Sequence, residues 1–233
     1  MAPHPRRAVV AIVCVSLLST GCVGFLTGSG PLEFRANETV VGDDALSEAD
    51  YRPAGNETLN RTLNATVSGQ TRQVLIISHR YAYNRSVDAD DLAAVPDNAT
   101  GGLGENASGG EQTREATASV RFSVLSTPGA RVAGRSLDPL SSLSNREIVE
   151  RFTADSTDME FQGNRTVAAL GADRTVSTYR TNTSSGSGAA LLVHLATIEH
   201  DGDVVVIWAV HPESVDERAR VDTLIAGLER PNG

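Results

Sequence analysis

The sequence contains no lysine. All 20 basic residues are arginine, where a chain of this length would ordinarily carry about a dozen lysines. The absence excludes chemistry that depends on a lysine amine: P-loop nucleotide hydrolysis, protein-kinase phosphoryl transfer, Schiff-base catalysis and pyridoxal-phosphate catalysis. Cysteine is scarce, with two in 233 residues, and aromatic residues make up 4 %. Against the arginines stand 29 acidic residues, for a formal charge of −9. That balance excludes a nucleic-acid binder, because phosphate contacts need a basic face.

What is present is a surface of Asp, Glu and Arg suited to very salty water. At molar salt the Debye length falls to about 3 Å, so neighbouring carboxylates repel little. Lysine's long apolar stem adds exposed hydrocarbon to such a surface. A GC-rich genome would also replace Lys by Arg without physical selection. Both are expected to act here, and a halophilic archaeon is the expected source.

Residues 1–21 read as an address. Arg6 and Arg7 form a basic start, and an apolar run of eleven residues follows from Ala8 to Leu18. A bilayer-spanning helix takes about 20 residues, so this is a signal peptide rather than a membrane anchor. The arginine pair suits twin-arginine export and general secretion alike. Leu18-Ser19-Thr20-Gly21-Cys22 resembles a lipobox, with the aliphatic residue one place farther from the cysteine than usual. Cys22 is therefore the expected lipidation site and membrane-lipid contact. Ordinary cleavage near Gly21 would instead leave a free thiol. Cys14 departs with the signal, so no internal disulfide is possible, and a lone exposed thiol is unusual outside the cell. Residues 22–31 form a short tether reaching about 30 Å when extended. Loss of the signal leaves 18 basic against 29 acidic residues, a charge of −11.

Asn-x-Ser/Thr occurs at Asn37, Asn56, Asn60, Asn64, Asn84, Asn98, Asn106, Asn164 and Asn182, nine of eleven asparagines. Chance would place about two there. Glycan acceptors must be exposed and outside the cytoplasm, in agreement with the signal. Leu59, Leu63, Ala65 and Val67 fall on one face of a predicted strand, which leaves Asn60, Thr62, Asn64 and Thr66 on the wet face.

The mature chain shows no fixed-period repeat and suits a single domain over 32–230. Strands are expected at 31–41, 57–67, 71–82, 116–126, 167–170, 175–181, 191–199 and 204–210. Turns are expected at Ser68-Gly69-Gln70, Gly171-Ala172-Asp173 and His200-Asp201-Gly202-Asp203. A short helix is predicted over 43–50 with Asp43 as N-cap. A second opens on the Ser144/Glu147 capping box, and a third on Ser214/Glu217 with an apolar stripe at Val221, Leu224, Ile225 and Leu228. Residues 84–115 read as a flexible glycosylated loop. Its Asp88, Asp90 and Asp91 lack the spacing of a calcium loop. The expected fold class is α+β: a largely antiparallel sheet of about seven strands with two or three helices packed on one face.

Chemistry-bearing constellations are sparse. His79 and His211 each end a strand and could meet, but zinc would want a third protein ligand that nothing nominates; satisfied structural histidines are the simpler reading of these, His194 and His200. No G-x-S-x-G elbow occurs, and Gly186-Ser187-Gly188 sits in a linker. No dinucleotide glycine fingerprint follows a strand. Trp208, in a run of aliphatic residues, reads as core. Arg131, Arg135, Arg146 and Arg151 could bind an anion, but on an acidic surface ion pairing is the simpler role.

Gly21-Cys22-Val23-Gly24-Phe25-Leu26-Thr27-Gly28, Pro31-Leu32-Glu33-Phe34, Leu125-Ser126-Thr127-Pro128 and Gly134-Arg135-Ser136-Leu137-Asp138-Pro139-Leu140 resemble an uncharacterised family of haloarchaeal lipoproteins. The resemblance covers most of the mature chain and implies topology and surface location. It implies no activity, and no catalytic residue.

The resulting expectation is a membrane-anchored, non-enzymatic binding or accessory domain on the extracytoplasmic face of the membrane. It would hold no metal or cofactor and bind an unidentified protein or small molecule, not nucleic acid. The alternatives are a cell-surface hydrolase with dispersed catalytic residues and a structural envelope component.

Overall fold

Tight turns organise the chain into long hairpins. The computed structural model describes residues 31–67, 70–87, 119–132, 135–136, 147–148, 156–183 and 190–231. Leu170-Gly171 and Asp201-Gly202 take positive φ at both positions, 49° and 76° in the first pair and 49° and 81° in the second. Two consecutive left-handed residues are the turn geometry whose twist matches that of paired strands. They join β8 (Ser156–Ala169) to β9 (Ala172–Thr183), and β10 (Ala190–His200) to β11 (Asp203–Pro212). A third hairpin joins β3 (Arg52–Val67) to β4 (Gln70–Ser86).

Strand β4 carries β3 along one edge. Along its other edge, β1 (Leu32–Arg35) pairs in parallel with Val74 to Ile77, and β5 (Ser119–Pro128) pairs antiparallel from His79 onward. β5 continues the sheet into β11, so eight strands form in the order β1-β4-β5-β11-β10-β9-β8, with β3 outside β4. Short pairs join β2 (Val40–Val41) to β12 (Leu228–Glu229), and β6 (Arg131–Val132) to β7 (Arg135–Ser136). Two helices lie wholly within the described residues, α1 (Asp43–Ala49) and α2 (Arg218–Ala226).

The aliphatic run of β11 is buried at every position, as expected of a central strand covered on both sides. Val205, Ile207 and Ala209 join Phe122, Val124, Ala196 and Ile198 in one core. Leu46, Ala49, Val221, Leu224 and Ile225 of the helices complete it. Val204, Val206, Trp208 and Val210 face the other way, into a second core with Leu125, Ile148, Tyr179, Val193 and Leu195. Leu59 of β3 and Met159 of β8, from opposite margins of the sheet, both pack against this second core. The sheet therefore curls its margins toward one another over that face.

The expected α+β class is corrected by this architecture. The described residues are mainly β, forming a mixed, sandwich-like sheet of eight strands in place of about seven largely antiparallel ones. The helices are minor, at seven and nine residues. Residues 52–56 and 156–166 carry too few apolar residues to show strand alternation, yet both are strands. They zip out from their turns as edge strands, which need few apolar residues. The predicted first strand divides into β1 and β2. Gly42, not Asp43, caps α1. Helix α2 begins after Glu217, so Ser214 does not cap it, and Leu228 lies in β12 rather than on the helical stripe. The turn expected at 171–173 closes one residue earlier. Of the helix predicted from Ser144, Glu147 and Ile148 are helical; the rest lies outside the described residues. So do Cys22 with its signal and tether, residues 88–118 with Asn98, Asn106 and the three aspartates, Arg146, Arg151 and the Gly186 linker.

Gly227 holds α2 against α1. A Cβ there would lie 2.2 Å from the Ala45 Cβ and 3.3 Å from the Thr223 carbonyl oxygen. Gly227→Ala is expected to lower stability by about 2 kcal/mol, as overpacking does. Chemical denaturation of both proteins measures this, and an unchanged midpoint would contradict the close approach.

Candidate functional site

The β10–β11 register, with His194 opposite Ala209 and Leu192 opposite His211, places the two histidines diagonally on one face. Their Nε2 atoms are 3.0 Å apart, and the rings stack with centroids at 5.1 Å. From β9, Thr178 sits opposite His194 with its Oγ1 2.9 Å from Nδ1. From β8, the Arg165 Nη1 donates at 3.1 Å to both Thr178 Oγ1 and His194 Nδ1. Its Nε donates to Asp222 Oδ1 of α2 at 2.6 Å.

These contacts assign the protons. His211 Nδ1 lies 2.8 Å from the Pro212 carbonyl, which can only accept, so Nδ1 carries the hydrogen and Nε2 is an acceptor. His194 must then donate from Nε2, which leaves its Nδ1 to accept from Thr178 and Arg165. One directed chain satisfies both rings in their neutral form. Burial first, then the Arg165 guanidinium and His211, lower the His194 pKa to about 3. Burial also lowers that of His211, against the opposing pull of the Pro212 carbonyl and the Glu217 carboxylate.

The histidines form one wall of a cavity of about 420 Å³, completed by Gln162, Asn164, Arg165, Thr178, Glu213, Ser214, Asp216 and Arg218. Below the start of α2, Glu217 is fully buried. It accepts hydrogen bonds from Arg85 of β4 and, at 2.9 Å, from the hydroxyl of Tyr51. Burial and the adjacent carboxylate push the Tyr51 phenol far above its ordinary value. This buried cluster fastens the helix that forms the cavity rim to the sheet.

His79 and His211, which could have met, do not: His211 meets His194 instead. His79 is buried beside Thr58 at 3.4 Å and within 3.9 Å of Glu38, while His200 lies 3.1 Å from Asp201. Trp208 is core, 4 % exposed. Arg131 lies exposed beside the β10–β11 turn and Arg135 is in β7; no arginine patch assembles among the described residues. No three metal-ligating side chains cluster among them either. Asn56, Asn60, Asn64 and Asn164 are exposed, and Asn84 is partly buried. Asn37 is exposed, with its Nδ2 donating to Asp203 at 3.1 Å. Asn182 lies in β9.

Sequence reasoning missed Arg165, Thr178 and the histidine pair. The signal for the pair was available: counting outward from the Asp201-Gly202 turn puts His194 and His211 on one face. Nothing local marks Arg165, which lies in a polar edge strand.

The family model described as a domain of unknown function (DUF6517) matches residues 38–229, and the chain belongs to that family. No curated protein matches it.

The histidines also set an acid sensitivity. Their folded pKa values lie below the unfolded value of 6.5, so unfolding takes up protons, and stability falls as pH drops from about 6.5 toward 3. Each histidine contributes at most about 1.4 kcal/mol per pH unit within that window. Denaturation at pH 7, 6, 5 and 4 is expected to show this loss, with a shallower slope for His194→Gln. Equal slopes would contradict the buried neutral ring.

Proposed function

We propose that this DUF6517 member is a surface lipoprotein of a halophilic archaeon, tethered through Cys22 outside the cell membrane, and that it is a non-enzymatic binding domain using the cavity beside His194 and His211. Placement along the strands carries this reading. β1 begins ten residues after Cys22 and pairs Leu32 with Val74. His79, five residues along β4, connects through Ser126 to Val205, and His211 lies six residues farther along β11. The first strand and the cavity thus mark opposite ends of the sheet, about 35 Å apart along the strands at 3.3 Å per residue. A short tether on Leu32 turns the cavity toward the medium. The lysine-free acidic composition and the exposed sequons Asn56, Asn60, Asn64 and Asn164 support a location in brine outside the cytoplasm.

The site chemistry favours binding over hydrolysis. Thr178 and His194 have nucleophile–base spacing, but a useful base titrates near the working pH. His194, with its pKa near 3 and its Nδ1 already facing a guanidinium, holds a proton poorly. Glu217, the buried carboxylate nearest in kind to a catalytic acid, is committed to Arg85 and Tyr51. A structural envelope role would call for a broad apolar patch. Among the described residues the one large apolar side chain left exposed is Phe161, set edge-on to Tyr179.

Replacing Cys22 by Ser in the native host is expected to move the protein from membrane to medium. Intact mass of the unaltered protein is expected to exceed that of lipid plus polypeptide by the mass of attached glycans. Full membrane retention of the variant would refute lipid tethering.

A further inference from the structure

The cavity proposed as the binding site has an uneven polar complement. Its carboxylates are already engaged. Both Glu213 oxygens accept from Arg180 Nε, at 3.1 and 3.0 Å. Asp216 Oδ1 accepts the backbone N–H of Arg218 at 3.3 Å. Asp222, behind the wall, accepts from Arg165. The two histidines are neutral and spend their polar atoms on one another, Thr178 and Pro212.

The cations are not exhausted in the same way. Arg165 lines the cavity with its side chain only 8 % exposed, and its Nη2 is buried without an acceptor. A buried guanidinium nitrogen with no acceptor is costly, because its desolvation is uncompensated. Arg218 stands exposed on the rim of the same cavity, close enough for its charge to act on His194. One buried and one exposed guanidinium at a cavity of about 420 Å³ suit a small ligand that brings its own negative oxygens.

We propose that this cavity binds a small oxyanion, a carboxylate or a phosphate, held by Arg165 from the wall and Arg218 from the rim. The inference rests on the reading of this cavity as a binding site. Arg165 supplies the selective contact, because its position is set by Asp222, Thr178 and His194 before the ligand arrives. Arg218 supplies charge at the entrance, where molar salt weakens it most. Asn164 borders the same space and offers a neutral hydrogen-bonding group for the rest of the ligand.

Calorimetric titration of the full-length protein with succinate, citrate and inorganic phosphate, with glycerol as the neutral control, tests this. At least one oxyanion is expected to bind saturably, and the three arms separate carboxylate from phosphate. Arg218→Gln, an exposed change that leaves the fold intact, is expected to weaken binding several-fold, and Arg165→Lys by about tenfold or more. Absence of saturable binding by all three anions would overturn the proposal. So would binding that Arg218→Gln leaves unchanged, or an equal response to glycerol. A response to glycerol alone would spare the binding-site reading and remove only the ligand class. Membrane retention through Cys22 is read separately and survives any of these results.

Discussion

The register of the β10–β11 hairpin is the constraint on which the rest depends. Because Asp201 and Gly202 both take left-handed backbone, the strands leave the turn with Asp203 opposite His200 and keep step through ten pairs. A slip of one residue would exchange Val205, Ile207 and Ala209 with Val204, Val206 and Trp208, turning each core set to the other face. Both sets are buried, so burial alone specifies the register weakly; the turn specifies it. The same register brings His194 and His211 to one face, and β9 and β8 then add Thr178 and Arg165 beside them.

The absence of lysine has a counterpart in how charge is used inside the molecule. Arg230 donates through Nη1 to Asp203 at 2.9 Å and through Nη2 to the His200 carbonyl at 3.0 Å, bracing the hairpin turn from outside. Asn37 reaches the same carboxylate with its backbone N–H and its Nδ2. Arg165 likewise serves Asp222, Thr178 and His194 at once. These roles need a planar fork with several donors in fixed directions, which an ammonium does not provide. Composition suited to brine and interior wiring thus call for the same residue.

Much of the architecture was legible where chemistry is local. The Asp-Gly turn, the aliphatic run of β11 and the alternation of Leu59, Leu63 and Ala65 against Asn60 and Asn64 all match the structure. The failures share one cause, which is that the deciding contacts are long-range. Residues 156–166 carry no strand pattern because β8 is an edge strand that pairs with β9 alone and exposes much of its length. Glu217 reads as a capping-box partner for Ser214, but Arg85, 132 residues earlier, and Tyr51, 166 residues earlier, claim its carboxylate. Arg165 becomes informative only once α2 and β10 lie beside it. The helices, expected to form a layer, proved too short to define the fold class.

The site as described stands on two neutral, hydrogen-bonded imidazoles whose tautomers are fixed by their neighbours. Histidine-selective ¹⁵N NMR at pH 6 observes the ring nitrogens directly. His194 protonated on Nε2 alone and His211 on Nδ1 alone is the predicted result, with no titration of the His194 ring between pH 8 and 5. A charged His194 in that interval, or the opposite tautomer at either residue, would contradict the directed chain from Thr178 to Pro212 and the cavity wall built on it.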